Sequence, residues 1–311
     1  MLHFELNKDF TINLVKTTEN YLIKSHDNRL KIKRVIETIN HGNLPLIPEA
    51  TPENLKKISW LDNKFVSDKQ GLEIVVQLFA IESNNKIVII DTCIGNHKDL
   101  TYKPWANRQY KFLDKIHAAG VDRSKVDYVV CTHIHLDHIG WNTTKVNNIW
   151  ETTFPNASYI FSEKEFQHAK KFENKLHGNI IEESINPVIK RGQATFINPP
   201  YSIDNNITII PTPGHTPGHM SVVVNYDHLS IIITGDTIHH PCQIACPEWN
   251  SYYEFDKDLS IKTRRRILEK NAGQNSIVIG SHFPGSSFGK IIKDGDKYSF
   301  DISYNEYEQK N

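Results

Sequence analysis

The chain has 311 residues, enough to bury a sizeable hydrophobic core in one large domain or two small ones. Its hydrophobic content of 39% and charged content of 23% are ordinary for a soluble globular protein. Lysine plus arginine and aspartate plus glutamate number 36 each, so the net charge is zero with histidine neutral. This balance gives no electrostatic reason to expect nucleic acid or an anionic membrane as a partner.

Cysteine usage and hydropathy indicate the compartment. Cys93, Cys131, Cys242 and Cys246 form no CxxC pair, and four cysteines in so long a chain do not predict a disulfide framework. The first residues lack the apolar run of a signal peptide, and no apolar stretch approaches the length that spans a bilayer. We therefore expect a cytoplasmic protein with reduced thiols.

The pattern of the first 70 residues predicts strands followed by a long loop. Polar and apolar residues alternate at 10–15 and 30–36, as they do in half-buried antiparallel strands. The stretch 42–68 carries three prolines and little periodicity, and it predicts a loop with a short helix at 53–58. A loop of that length is either functional or packed against a partner, so it is a candidate lid or dimer contact.

Strands and helices alternate from residue 72 onwards. A hairpin is predicted at 72–81 and 86–90, and its second strand is continuously apolar and hence buried on both faces. The capping-box pattern Ser162 to Glu165 predicts the start of a helix that runs toward Asn174. Further helices are predicted at 106–119, 180–191 and 258–271, and further strands at 126–131, 157–161, 207–210, 220–224, 229–233 and 276–279. We expect one α/β domain over 1–311, with 1–70 as an extension packed on it.

Two smaller expectations concern basic and aromatic residues. Arg264 to Arg266 lie on the last predicted helix and are expected to form a solvated face. Trp105, Trp150 and Trp249 are expected to be ordinary packing residues.

The most informative stretch is 131–140, with the sequence CTHIHLDHIG. His133, His135, Asp137 and His138 fall within six residues, directly after an apolar strand. Imidazole nitrogens and a carboxylate at a strand end suit zinc, iron, manganese or cobalt.

Three further apolar strands also end in a potential metal ligand. These residues are His215, Asp236 and His282, each beside a glycine that permits a tight turn. Side chains at the ends of neighbouring strands can converge, because the sheet fixes their spacing. Seven ligands are too many for one tetrahedral zinc, but they suit a dinuclear site with open positions.

The expected division of ligands gives each ion three residues and a shared carboxylate. One ion takes His133, His135 and His215, the other takes Asp137, His138 and His282, and Asp236 bridges them. A hydroxide between the ions would be the nucleophile. Asp137 and Asp236 are therefore the expected catalytic carboxylates, with Asp137 or a bound water moving the proton.

The motif HxHxDH at 133–138, followed in order by His215, the TGD turn of Asp236 and His282, resembles the metallo-β-lactamase superfamily of hydrolases. The resemblance spans roughly 72–285 and implies a four-layer αββα sandwich of two mixed sheets flanked by helices. The stretches 91–96, 132–142 and 234–241 look most like the branch of methyl parathion hydrolase and the N-acyl homoserine lactonases. The chain departs from the lactonase pattern in carrying Trp141 and Asn142 after Gly140.

Several residues near the ligands are expected to support the site or to line its pocket. Asp91 follows the 86–90 strand, and we expect it to accept a hydrogen bond that orients a ligand histidine. Trp141 and Phe283 adjoin ligands and are expected in the pocket wall, and one of His239 and His240 is expected there too. The remaining histidines, among them His168 and His177, are left as surface or core residues, and His219 is expected to structure the proline-rich turn.

The resulting hypothesis is a dinuclear metallohydrolase acting on a small neutral ester, lactone or phosphotriester. Its expected cofactors are two divalent ions, zinc first, with manganese, iron and cobalt as alternatives. Its expected partner is a small-molecule substrate, with a homodimer left open. Three alternatives remain: a glyoxalase II-like thioester hydrolase, a mononuclear iron sulfur dioxygenase, and a binding protein with a structural metal.

Overall fold

The strand ends that carry the predicted ligands belong to two large β-sheets in this computed structural model. The structure describes residues 10–11, 22–25, 27, 29–42, 46–61, 65–67, 71–171 and 177–302. The strands of these residues are, in chain order, β1 (Phe10–Thr11), β2 (Leu22–Ser25), β3 (Leu30–His41), β4 (Glu73–Ser83), β5 (Lys86–Ile90), β6 (Tyr128–Val130), β7 (Thr143–Val146), β8 (Ile149–Thr152), β9 (Ser158–Ser162), β10 (Ala194–Ile197), β11 (Tyr201–Ser202), β12 (Ile207–Pro211), β13 (Met220–Tyr226), β14 (Leu229–Ile233), β15 (Ser276–Ile279), β16 (Phe288–Asp294) and β17 (Lys297–Asp301). Their helices are α1 (Pro52–Leu55), α2 (Phe112–Ala118), α3 (Glu163–Lys171), α4 (Ile180–Ser184), α5 (Asn186–Lys190), α6 (Cys242–Ala245) and α7 (Lys257–Asn271).

The two large sheets are both mixed. The first has the order β1-β2-β3-β4-β5-β6-β9-β10, and the second has the order β11-β12-β13-β14-β15-β16-β17. Strands β5, β6 and β9 run parallel to one another, as do β14 and β15. Because β12 and β14 each pair antiparallel with β13, β12 runs in the same direction as β14. The carboxyl ends of these strands therefore lie at one edge of each sheet.

The β5 strand shows how the layers are built. Val88, Ile89 and Ile90 are all fully buried, as the continuous apolar run predicted. Val88 and Ile90 point into a core shared with the second sheet, whereas Ile89 points into a core that includes Phe112 and Ile116 of α2. On the other side of the molecule α7 packs on β14 and β15. The predicted four-layer αββα sandwich is confirmed.

The predicted hairpin and most strands are present with small shifts of their ends. Asn84 and Asn85 form the turn between β4 and β5, both with positive φ, which asparagine tolerates better than most residues. The predicted strand at 10–15 is described only for Phe10–Thr11, and the end of the helix toward Asn174 lies outside the described residues. The short helix predicted at 53–58 is α1, which starts earlier because Thr51 caps it by accepting from Asn54 N–H.

Two structural predictions are wrong, and several strands were not predicted. The helix at 106–119 is only Phe112–Ala118, because a 3₁₀ turn at Lys103–Trp105 and an irregular segment precede it. The β7–β8 hairpin and the strands β16 and β17 were not predicted. Arg264 is wholly buried rather than solvated.

Within the described residues, no helix has both the length and the hydropathy needed to cross a membrane.

Candidate metal centre and its pocket

The sheet edges bring all seven predicted ligands together. The Nδ1 atom of His135 lies 2.9 Å from Nε2 of His215, and His133 packs against both rings. On the other side, Nε2 of His138 lies 3.2 Å from Nε2 of His282. The structure therefore places three histidines in one group and two in a neighbouring group.

Asp236 lies between the two groups. Its Oδ2 is 3.5 Å from Nε2 of His215 and 3.4 Å from Nε2 of His138, and its Oδ1 is 3.3 Å from Nε2 of His282. Asp137 completes the second group, with Oδ2 3.6 Å from Nε2 of His282. A single carboxylate thus faces both groups, as a bridging ligand must.

These separations fit metal coordination. Zinc bonds to nitrogen and oxygen are about 2.0–2.2 Å long, so neighbouring ligand atoms in a tetrahedron lie about 3.4 Å apart. His135 and His215 are separated by 2.9 Å, and Asp137, His138, His282 and Asp236 make contacts of 3.2 Å to 3.8 Å with one another. The ligand atoms of each group all lie within 4.8 Å of one another. Among the described residues, the buried Nε2 of His133 has no hydrogen-bond partner, although a buried polar atom normally has one.

The hydrogen bonds of the outer ring nitrogens point to the same conclusion. His282 donates from Nδ1 to the Val75 carbonyl at 2.8 Å, and His138 donates from Nδ1 to Asp91 at 2.8 Å. In a neutral imidazole the other nitrogen then carries a lone pair. The two Nε2 atoms converge at 3.2 Å next to Asp236, so either a proton on one of them or a cation between them must separate the two lone pairs.

The electrostatics of the cluster also favour positive charge. Burial opposes charge on His138, but Asp236, Asp91 and Asp137 outweigh it and raise its pKa well above the usual value. His133 and His135 lie among other histidines, and burial and those neighbours hold their pKa values well below the usual value. Neutral histidines next to carboxylates are the ligand set that a divalent ion binds.

Asp91 lies where an orienting acceptor is needed. Besides the bond to His138, it accepts from the Thr132 N–H at 2.8 Å and from the Thr132 hydroxyl at 2.9 Å. Its φ is +56°, a backbone conformation that non-glycine residues seldom adopt and that is often found at functional sites. The carboxylate therefore fixes both the ring of His138 and the start of the ligand loop.

Glu254 orients His215 in the same way, although no motif in the sequence marks it. Its Oε2 lies 3.2 Å from Nδ1 of His215 and accepts from the Ser260 hydroxyl, while Arg264 donates to its Oε1. Burial opposes ionisation, but His215, His239 and Arg264 together lower the pKa of Glu254 to about 2. Glu254, His215 and His239 lie close enough to hold a further ion, but the Arg264 guanidinium already neutralises that carboxylate.

His219 supports Asp236 rather than only the turn. Its Nδ1 bonds to the Thr212 hydroxyl at 2.8 Å, and its Nε2 accepts from the Asp236 N–H at 3.0 Å. The proline-rich segment thereby fixes the backbone of Asp236.

A cavity of about 340 Å³ opens beside the ligands. Its floor contains His135, Asp137, His215, Asp236 and His282, and its polar wall residues are His177, His239 and Thr101. The rest of the wall is aliphatic or aromatic and consists of Leu46, Ile74, Tyr102, Trp105, Leu136 and Tyr253. The cavity can therefore hold a molecule that is largely apolar and has one polar group at the floor.

Two of the predicted pocket residues, Trp141 and Phe283, lie elsewhere, whereas one of the pair His239 and His240 lines the cavity as expected. Trp141 is buried in the outer core and donates from Nε1 to Glu37, and Phe283 is buried against Phe300. His240 is buried with its Nε2 bonded to the Phe65 carbonyl, so it is not a pocket residue either.

His239 does line the cavity. Its Nε2 lies 3.4 Å from Oδ2 of Asp236, and in the described part of the chain neither ring nitrogen has a hydrogen-bond partner.

Some residues of the cavity wall were not predicted from the sequence. Trp105 was expected to be a packing residue, and His177 was left as a surface or core residue, yet both line the cavity. Nothing in their local sequence marks them, because they reach the wall only through the fold. Leu46 belongs to the 42–68 stretch, the candidate lid or dimer contact, and it lines the cavity.

Comparison with known proteins agrees with the fold and the motif. The family model of the metallo-beta-lactamase superfamily matches residues 74–282. The N-acyl homoserine lactonase AttM of Rhizobium radiobacter is 29% identical over 193 residues, which cover 59% of this chain and 68% of AttM. A solved complex of AidC, a dizinc quorum-quenching lactonase, with a product superposes with a TM-score of 0.72 at 21% identity, covering 91% of this chain and 97% of AidC. The hydrolase AbOPH superposes with a TM-score of 0.71 at 20% identity, covering 91% and 96% of the two chains.

The chain therefore belongs to the metallo-beta-lactamase superfamily. It is a metal-dependent hydrolase with the fold of that family, similar in sequence to N-acyl homoserine lactonases.

Proposed function

We propose that the chain is a dinuclear metallohydrolase that opens lactones of the N-acyl homoserine type. The observation that carries this proposal is Asp236, which faces two groups of histidine ligands beside a mainly apolar cavity. The sequence similarity to AttM favours a lactone over the other neutral esters and phosphotriesters that such a site could hydrolyse.

The residues present would hold two divalent ions. His133, His135 and His215 would bind one, and Asp137, His138 and His282 the other, with Asp236 shared. Two such ions would supply a Lewis acid for the substrate carbonyl and would lower the pKa of a bound water.

The remaining chemistry belongs to side chains of this chain. The apolar wall would hold an acyl chain and exclude water from it, which orients the polar end of the substrate toward the floor. Asp137 lines the cavity and is more exposed than Asp236, with 17% against 5% of the side chain accessible. Its carboxylate is therefore the group placed to take up a proton and pass it to the leaving oxygen.

The test is a substrate panel with a matched pair of variants. Zinc-loaded protein is assayed on N-hexanoyl homoserine lactone, an aryl ester, a phosphotriester and a glutathione thioester, with His135→Ala and His117→Ala alongside. His117 is an exposed histidine of α2, so its removal controls for the loss of an imidazole. We expect the lactone to be the best substrate, and we expect His135→Ala to lose at least about a hundredfold in kcat/KM.

The panel also separates the alternatives. Preference for the thioester would indicate a glyoxalase II-like enzyme. In a separate assay of iron-loaded protein, oxygen consumption with a thiol persulfide would indicate a sulfur dioxygenase. Undiminished lactone hydrolysis by His135→Ala, or none by the loaded wild type, would contradict the proposal.

A further inference from the structure

Glu165 connects the two ligand loops of the first histidine group. Its Oε1 accepts from the N–H of Ile134 at 3.1 Å, and its Oε2 accepts from the N–H of Gly218 at 2.9 Å. Ile134 stands between His133 and His135, and Gly218 is three residues after His215. One carboxylate thus bridges two loops that are far apart in sequence.

The carboxylate is held rigidly from its own side. Glu165 lies in the first turn of α3, where its N–H donates to the Ser162 hydroxyl at 3.3 Å, and only 2% of the residue is exposed. In a capping box its side chain would bond back to the N-cap backbone, but here both oxygens bond to the ligand loops. Half of the predicted capping box is therefore present, and its carboxylate is committed to the metal site.

The second loop is shaped to reach this carboxylate. A Cβ atom on Gly218 would lie 2.3 Å from the backbone nitrogen of Glu165, so only glycine allows the approach. The first loop approaches from the other side, and the meeting of the two loops puts Nδ1 of His135 2.9 Å from Nε2 of His215.

A buried carboxylate destabilises the fold unless its hydrogen bonds are formed. Burial raises the pKa of Glu165, and the N–H bonds from Ile134 and Gly218 oppose that rise. Losing either N–H bond would leave part of the buried negative charge without a hydrogen-bond donor. The carboxylate therefore holds both N–H groups, and the loops that carry them, in place.

We propose that Glu165 is a positioning residue that sets the separation of His135 and His215, and thereby the metal affinity of the His133, His135 and His215 group. This inference rests on the proposed dinuclear function. The group of Asp137, His138 and His282 is oriented by other residues, so it should be affected less.

The test compares Glu165→Gln with Glu163→Gln. Glutamine turns one oxygen into an NH₂ group, which opposes a backbone N–H of one loop with another donor. Glu163 is on the same turn of α3 and accepts a hydrogen bond from Gln167 at the surface, so it controls for the charge change. Each protein is loaded with Co(II), and ion release is followed against a chelator series by metal analysis and by the visible Co(II) bands, which report ligand geometry.

We expect Glu165→Gln to release one of its two ions at a chelator concentration about tenfold or more below that of the wild type, with altered Co(II) bands. Glu163→Gln should behave as the wild type. Should Glu165→Gln fail to fold by circular dichroism, Glu165→Asp takes its place, because its shorter side chain keeps the charge but cannot span both amides. Wild-type release and bands in the folded variant would overturn the positioning role alone, whereas a wild type that holds fewer than two ions would overturn the dinuclear proposal as well.

Discussion

Arg264 is the largest wholly buried side chain of the described residues. Its guanidinium donates to the carbonyls of Thr237, Pro247 and Trp249 and to the carboxylate of Glu254. The helical pattern placed it on a polar face, but the carbonyls of two loops and one carboxylate replace its hydration. Arginine is suited to this position because its planar fork offers five donors.

Replacing Arg264 with alanine should destabilise the fold by about 3–5 kcal/mol, because Glu254 would be left buried without its ion-pair partner. The control is Arg265→Ala, whose partner Glu248 is exposed and whose loss should cost less than about 1 kcal/mol. Urea unfolding at pH 7 measures both values. Equal midpoints for the two variants would contradict the structural role of Arg264.

At the scale of elements, β3 lies outside the segment that the family model matches, yet it holds the site loops. A register irregularity between Ile36 and Thr38 redirects Glu37 out of the ladder with β4. Glu37 accepts from the Ile94 N–H at 2.9 Å and from the Trp141 Nε1–H at 2.6 Å. The strand therefore ties together the loop after β5 and the end of the ligand motif.

Trp141, which departs from the lactonase pattern, thus has a structural role, and its replacement should lower the stability of the fold. Trp141→Phe should lower the free energy of unfolding by about 1–3 kcal/mol, since it deletes a hydrogen bond to a buried carboxylate. Trp60→Phe removes the same atoms from a half-buried side chain and should cost less. Thermal or urea unfolding of the two variants measures both losses. An equal loss of unfolding free energy in both would contradict a stabilising bond between Trp141 and Glu37.

Elements with a strong local pattern could be predicted from the sequence, and elements fixed by tertiary contacts could not. The run of β5 identified a buried strand, and the motif at 133–138 identified a ligand loop without any knowledge of the fold. The helix expected at 106–119 was shorter, because local propensity does not show that 103–111 packs as an irregular segment. The wall residues Leu46, Trp105 and His177 come from separate parts of the chain, so no spacing could group them.

Supporting residues fall between these two cases. Asp91 was identifiable because it follows a strand. Glu254 has no local signature, and the capping box that includes Glu165 predicted the start of a helix but not its contacts with the ligand loops. The side chains that hold a site in place are therefore the part of it that sequence patterns reveal least.

At the scale of the whole molecule, the fold places the carboxyl ends of strands from two sheets around one cluster. The first sheet supplies His133 to His138 after β6, and the second supplies His215, Asp236 and His282 after β12, β14 and β15. Each group combines ligands from both sheets, so the geometry of the cluster depends on how the two sheets pack. Asp236 is the residue on which both groups converge.

The most direct measurement of the central claim is the metal content of the purified chain after equilibration with excess zinc and removal of the free ion. The wild type should retain two zinc ions per chain, and Asp236→Asn should retain fewer, because Asp236 is shared between the groups. A wild-type chain that holds no more than one ion under saturating zinc would contradict the dinuclear account.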